Sequence, residues 1–522
     1  MVQLMLCCGL ILLICITSSK VLYKFGVPLL LIFIFLGMIF GIIGIDFSDF
    51  QLTGEIASIA LVFIMFYGGF GTNWSMARPK AVPSILMSTL GTIITFFITG
   101  LFVYLIFKIS LLESLLIGAV VSSTDAASVF TILRSQKLNL EGSLASLLEV
   151  ESGSNDPVAY MLTLIILTIM GNGTVMQLIP MIVSQIVFGI IVGALIAIAS
   201  IYLIRHANFE IESFYIIFII AIAIISYSLS EWMGGNGYLS VYISGIIIGN
   251  SKIPHKKTLV HFLDGVSWIM QIILFFILGL LANPLELPKV IGKSVVISLG
   301  IIFIARPISV FLVLKKFDFN TKEKLFIAWV GLRGAASIVF AIFALNYGIS
   351  INNDIYHIIF FIALISVGVQ GTLIPIIAKR LELLDNKDHE YLMEDIALKY
   401  LTGKVDYNVL TIACFEEASK GDIVAINLLK EMADHLARSA AGAVVRLNLG
   451  EHPEIVLAGS VYVKGSCPIL VEEFKEKINH YAHKECKTKV LMVPPATGAI
   501  VWAMELATGK FPSLEEREQL IK

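Results

Sequence analysis

The chain has 522 residues, of which 57% are hydrophobic and 15% charged, with a formal net charge of −2. That apolar share and a mean hydropathy of +0.89 lie well above the roughly 45–50% of soluble domains and exclude an ordinary water-soluble globule. The nearly balanced charge shows no basic patch that would suggest nucleic acid. The six cysteines, without zinc spacing and too sparse for a disulfide scaffold, are read as apolar packing residues.

A window of about twenty residues, the length that crosses roughly 30 Å of hydrocarbon, finds about thirteen apolar segments. They lie near 3–19, 27–44, 54–71, 84–107, 111–132, 145–170, 176–204, 212–230, 236–250, 260–283, 290–314, 325–346 and 355–378. The first has no basic leader and no small-residue cleavage site, so it is read as a membrane helix rather than a signal peptide. In alternate loops, lysines and arginines from Lys20 and Lys24 to Lys379 and Arg380 collect on one side, whereas the other side has only Lys108, Lys289 and Lys293. This bias makes the first side cytoplasmic. With an odd number of spans across the cell membrane, the amino terminus is then outside the cell and the polar tail in the cytoplasm.

Two segments are polar in the middle. The run 111–132 is interrupted at Ser122-Ser123-Thr124-Asp125, and 145–170 at Glu151-Ser152-Gly153-Ser154-Asn155-Asp156-Pro157. Both read as breaks in helices, because backbone freed at membrane depth persists only where protein or a water-filled cavity takes it up. Broken helices around a midplane site are a recurring arrangement in secondary transporters.

An ionisable group in hydrocarbon is unfavourable by several kcal/mol unless it serves a pathway or meets a partner. Asp156 is read as the group that holds either a proton or a metal ion, but not both at once. Thr124 and Ser152 supply oxygens suited to a hard monovalent cation, with no cysteine or histidine to favour a transition metal. Glu151, five residues before Asp156, is counted with Thr124, Ser152 and Asp156 among the cation-binding residues. On a regular helix it would lie well apart in angle from Asp156, so a shared site depends on distortion at Gly153 and Pro157, and an ionised Glu151 needs a counter-charge. Arg306 is the preferred partner and Arg333 the second candidate, as the two arginines inside apolar segments. Asp125 is read as compensating helix-end charge, and Asn155 as bonding across to the Thr124 region. Histidines 206, 255, 261 and 357 sit near segment ends and are read as interfacial.

These residues resemble the monovalent cation/proton antiporter family, in the branch that carries an Asn-Asp pair. The resemblance rests on Ser123 to Ala127, Glu151 to Pro157, Ala305-Arg306-Pro307 and Gly331-Leu332-Arg333-Gly334-Ala335, in that order, and covers about residues 1–385. The wording around Ser122–Phe130 and Glu149–Met161 is most similar to bacterial potassium/proton antiporters of the cell-volume-regulation type.

The resemblance implies an all-α polytopic membrane domain of about thirteen helices with two broken, crossing helices, working as a homodimer by an elevator-like motion. It further implies Asp156 as ion and proton carrier, Ser152 and Thr124 as ligands, Glu151 with Arg306 as a supporting ion pair, and Asn155 as the bridge between breaks. The expected activity is electroneutral exchange of K+ or Na+ for H+, with no cofactor. The alternatives are a Na+-selective exchanger and a cation channel, though no carbonyl filter or charged ring is visible.

The domain boundaries are expected at 1–380 for the membrane domain, 381–407 for a charged linker and 408–522 for a cytoplasmic α/β domain. Phe415–Arg446 reads as helical, Ile455–Val461 as a strand entering a glycine turn, Phe474–His480 as helical, Val490–Val493 as a second strand and Gly498–Leu506 as a helix. This part resembles the carboxyl-terminal portion of N-acetylglucosamine-kinase-like ATPases, which implies a nucleotide turn at Gly459 and Ser460. No phosphate loop and no catalytic aspartate accompany it, so phosphoryl transfer is not expected. A regulatory module, nucleotide-sensing or dimerising, is expected instead.

Overall fold

The computed structural model describes residues 9–14, 16–17, 29–43, 49–125, 128–129, 132, 140, 144–207, 211–349, 351–384, 407–459, 461–462, 467–491 and 495–519. Ala126, Ala127, Ser460 and most of the expected linker fall outside them. The chain divides into two compact units, Met1–Tyr391 and Leu392–Lys522.

In the first unit the principal helices, in chain order, are α1 (Leu29–Ile43), α2 (Phe50–Gly71), α3 (Arg78–Phe107), α4 (Leu111–Val120), α5 (Leu144–Met170) and α6 (Val175–Ala207). They continue as α7 (Glu212–Trp232), α8 (Gly237–Gly249), α9 (Lys256–Leu281), α10 (Leu287–Lys316), α11 (Thr321–Trp329), α12 (Ala335–Asn346) and α13 (Ile355–Arg380). Among the described residues eight helices are long and apolar enough to cross a membrane, and four shorter apolar ones accompany them.

Polar residues between apolar runs start these helices. Asp49, Ser110, Asn236 and Asp354 each accept a backbone N–H of the first turn, and Asn320 with Glu323 closes a capping box on α11. α6 leaves Ile179, Val183, Ile190, Leu195 and Ile198 exposed, a face that suits lipid rather than water.

Without a hydrophobic driving force between helices in lipid, close packing takes over, and small residues permit it. α9 packs on α1 and α2, and α2 on α8, with α6 and α7 against α8. At the α2–α8 crossing a Cβ added to Gly249 would lie 2.2 Å from the Phe70 carbonyl oxygen, and one on Gly245 2.6 Å from that of Phe66. A second group joins α3 with α4 and α10, α4 with α5, and α10 with α13. α12 touches α2, α5 and α13 and lies between the groups.

Two helices are interrupted, and one interruption lies elsewhere than expected. α4 stops at Val120, and residues 121–125 are non-helical before helix resumes at 128. α5, however, runs unbroken through Glu151–Pro157. Pro157 has no N–H and frees a carbonyl one turn back, yet the helix holds. The Ser154 hydroxyl donates to Val150 O, and Asn236 Nδ2 donates to Pro157 O at 2.9 Å. Gly153 serves packing: a Cβ there would lie 2.6 Å from the Tyr242 ring.

The second break separates α11 from α12 at residues 330–334, inside the segment read as one apolar run. Here Asp125 N donates to Leu332 O at 2.8 Å, so the two interruptions run side by side. Gly334 is required by that approach, because a Cβ would fall 2.0 Å from Asp125 Oδ2.

In the second unit α14 (Tyr407–Ser419) and α15 (Ile423–Arg446) are two helices where the pattern reads as one. Gly421, at φ +93°, turns the chain between them, and Asp422 caps α15. β1 (Glu454–Leu457), α16 (Ile469–Ala482) and β2 (Lys487–Val490) follow, then α17 (Pro495–Thr508) and α18 (Leu514–Gln519). The strands pair in parallel, Glu454 opposite Lys487 and Leu457 opposite Val490. β1 starts one residue before the expected run and ends four before it, and β2 lies three residues before its expected run. α15 and α16 bury Ala433, Ala437, Leu470, Phe474 and Ile478 in a common core with Leu457. Leu381–Leu384, assigned to the linker, pack instead on the first unit: Leu383 is buried there and Leu384 bridges Leu140.

Candidate cation site

On α5, Ser152, Asn155 and Asp156 occupy positions i, i+3 and i+4 and so share a face. That face meets the first break. Ser123 Oγ donates to Asp156 Oδ1, and Thr124 Oγ1 lies 2.8 Å from Ser152 Oγ. Asn155 holds Thr124 at two points: its Nδ2 donates to Thr124 Oγ1, and its Oδ1 accepts Thr124 N at 3.3 Å. It therefore ties α5 to the first break, not one break to the other. Asp156 is part-exposed, whereas Thr124 and Asn155 are buried. The result is one carboxylate among hydroxyl oxygens beside a non-helical backbone.

Glu151, expected among the cation-binding residues, does not join them: α5 is undistorted, so five residues of helix turn it away from Asp156, and it meets Arg306 on α10 with Nη2 2.5 Å from Oε1, both side chains buried. Arg333 takes a different place. Its Nη1 donates to the carbonyls of Ser122 at 2.9 Å and Ser123 at 2.7 Å, and its N–H donates to Ser366 Oγ at 2.9 Å. A guanidinium thus covers the free carbonyls beyond α4, where the helix dipole is negative. Asp125 accepts Ser128 N at 3.2 Å and Ser128 Oγ at 2.6 Å and lies against Gly334, just before α12. Its carboxylate sits at two helix starts, where the dipole is positive.

The structure therefore brings Thr124, Ser152, Asn155 and Asp156 together, sets Glu151 with Arg306, and places Asp125 and Arg333 at the crossing. Gly459 lies in the second unit at φ +131° just after β1. Ser123, Ser122, Ser366 and Gln370 are polar groups of the site that the sequence reading did not assign. Ser123 and Ser122 lie inside the quoted motif, but only a non-helical stretch turns the Ser123 hydroxyl to α5 and both carbonyls to Arg333. Ser366 and Gln370, in hydrogen-bond contact at 2.8 Å on α13, carry no signal beyond polarity in an apolar segment. Among the described residues no three His, Cys, Asp or Glu side chains converge. The oxygens at Asp156 are hydroxyl and carboxylate, a set that suits a hard monovalent ion.

The family described as sodium/hydrogen exchanger, transmembrane, matches residues 9–380. The K(+)/H(+) antiporter NhaP of Alkalimonas amylolytica is 36% identical over 380 residues, which cover 72% of this chain and 66% of that protein. The K(+)/H(+) antiporter NhaP2 of Shewanella sp. (strain MR-4) is 35% identical, with 68% of this chain and 62% of that protein covered. The chain thus spans just under two thirds of the length of these relatives. Among solved structures, an electron-microscopy map of the sodium proton antiporter MjNhaP1 from Methanocaldococcus jannaschii superposes with a TM-score of 0.63 at 25% identity, covering 73% of this chain and 98% of that one.

Proposed function

The chain belongs to the sodium/hydrogen exchanger transmembrane family, and from that membership we propose that it is a secondary active antiporter exchanging a monovalent cation for a proton. The observation that carries this reading is Asp156: a part-exposed carboxylate on a continuous membrane helix, held by Ser123 and flanked by the Ser152 and Thr124 hydroxyls. Its oxygens take a proton or a cation in turn. Ser123, Ser152 and Thr124 replace part of the ion's water shell. One carboxylate alternating between the two loads carries the same charge each way, so exchange is electroneutral.

The neighbouring charges hold this geometry. Glu151 and Arg306 neutralise one another, and Arg333 and Asp125 neutralise the half-helix ends, which leaves Asp156 as the group free to change its load. Potassium is the assigned cation, because the more similar relatives carry it in their names, and sodium is the second reading. The amino terminus is assigned outside and the second unit inside the cell, following the loop charges. The protomer is assigned to a homodimer in which the α3–α5, α10 and α13 group moves against the rest. The second unit is assigned a regulatory role, with a nucleotide at the Gly459 turn as the form of ligand to test.

Purified protein in proteoliposomes with an imposed pH gradient tests the central claim, with K+, Na+ and Li+ compared. Wild type dissipates the gradient on cation addition, K+ first, with saturation. Asp156→Asn abolishes exchange while the protein remains folded by thermal melting. Undiminished exchange by Asp156→Asn removes it as carrier.

A further inference from the structure

The stripe of α5 that carries Ser152 and Asp156 extends two turns toward Leu144. Glu149, Ser152, Gly153 and Asp156 stand at i, i+3, i+4 and i+7 on one line, the two carboxylates about 10 Å apart along the axis at 1.5 Å per residue. Glu149 is part-exposed, and its Oε1 lies 3.3 Å from the Thr72 hydroxyl, which also donates to Gly68 O at 2.7 Å. Thr72 is itself fixed at the end of α2, because Asn250 Nδ2 donates to its carbonyl at 2.9 Å.

Between the carboxylates lies Tyr242 of α8. It is 3% exposed, and its ring packs on Gly153 so closely that a Cβ there would be 2.8 Å from the hydroxyl oxygen. That hydroxyl lies within hydrogen-bonding reach of Thr72 and within electrostatic reach of both Glu149 and Asp156, but no bond of full geometry closes to it among the described residues. A buried hydroxyl is normally satisfied. This one is held where a passing cation would satisfy it.

We propose that Glu149, Thr72 and Tyr242 form a second cation position, an antechamber on the Leu144 side of Asp156, from which the ion passes Gly153 to the exchange site. The inference rests on the antiport reading and on the topology that turns the Leu144 end of α5 to the cytoplasm. A carboxylate there attracts the cation and repels anions, and two hydroxyl oxygens supply ligands without a second buried charge. Gly153 lets the Tyr242 ring lie against α5, so the ring stands between the two positions and moves aside when the ion passes.

The test is side-specific. Exchange of K+ for H+ is measured in right-side-out and everted vesicles, with cation varied on one face at a time. In Glu149→Gln the cation concentration for half-maximal exchange rises by on the order of five-fold or more at the cytoplasmic face. At the outer face it stays within about two-fold, and the maximal rate is largely kept. Tyr242→Phe shifts the same face in the same direction by about two-fold, and Glu149→Asp recovers most of the loss. A role confined to anchoring Thr72 would move both faces together.

An unchanged cytoplasmic half-saturation, an equal change at both faces, or loss of maximal rate in Glu149→Gln and Glu149→Asp alike overturns the antechamber. Should Glu149→Gln fail to fold, the asymmetric shift in Tyr242→Phe decides alone. Inactive wild type, or active Asp156→Asn, sinks the antiport reading itself. An active wild type with inactive Asp156→Asn and symmetric Glu149→Gln sinks only the antechamber.

Discussion

At the scale of single residues, Glu151 and Arg306 illustrate how membrane burial changes the consequence of losing one partner. Each is nearly inaccessible, and the pair closes at 2.5 Å. Removing one member leaves an uncompensated buried charge, a loss of about 3–5 kcal/mol. Arg306→Met therefore lowers the thermal midpoint in detergent, and adding Glu151→Leu recovers part of the loss, which a double-mutant melting series reads directly. In the second unit Asp434 accepts the Tyr481 hydroxyl at 2.5 Å and pairs with Arg438 at 2.8 Å. The Tyr481 hydrogen bond first, and Arg438 second, hold its carboxyl below the usual aspartate value. A carboxylate lowered in the folded state stabilises above its unfolded value and loses that contribution as pH falls through the lowered one. Tyr481→Phe raises the Asp434 value in a carboxyl NMR titration, and the acid unfolding of this unit begins at a higher pH.

At the scale of elements, a proline and a glycine inside an apolar run do not announce a break. α5 contains both and continues: Pro157 leaves only the Gly153 carbonyl without its helical donor, and Gly153 answers to the Tyr242 ring. The stretch 330–334 has a glycine on each side of Leu332-Arg333 and does break, because Leu332 O pairs with Asp125 N and Arg333 N with Ser366. The two stretches differ in composition, and the one poorer in polar residues is the one that breaks, because distant groups receive its freed backbone. Gly334→Ala places a methyl 2.0 Å from Asp125 Oδ2 and 2.5 Å from its Cβ. The crossing must then open, and exchange in vesicles falls by on the order of ten-fold or more, since a misplacement of about 1 Å costs this much at a preorganised site. Exchange at the wild-type rate in Gly334→Ala would show that the crossing tolerates such a displacement.

For the whole molecule, the charge carried across the membrane is the quantity that separates exchange modes. Moving one net charge is worth roughly 2.3 kcal/mol per 100 mV, a bias of about fifty-fold in the equilibrium. On the proposed reading, in which Asp156 alone changes its load, initial rates in vesicles clamped at zero and at about −100 mV agree within about two-fold. A rate that follows the potential would require a second group to change charge during the cycle.

The membrane class, the apolar segments, the side on which positive loops gather and the residue types suited to a hard cation were readable along the chain, because hydropathy and charge act through local composition. The need of Glu151 for a buried arginine was equally readable, since opposite charges in apolar segments require one another. Arg306, the preferred partner, is the one that meets it; the second break at 330–334 and the hold of Ser123 on Asp156 were not readable. Each depends on which distant backbone or hydroxyl arrives to satisfy a freed polar group. That partner comes from residues tens to hundreds of positions away, which composition within a window does not encode.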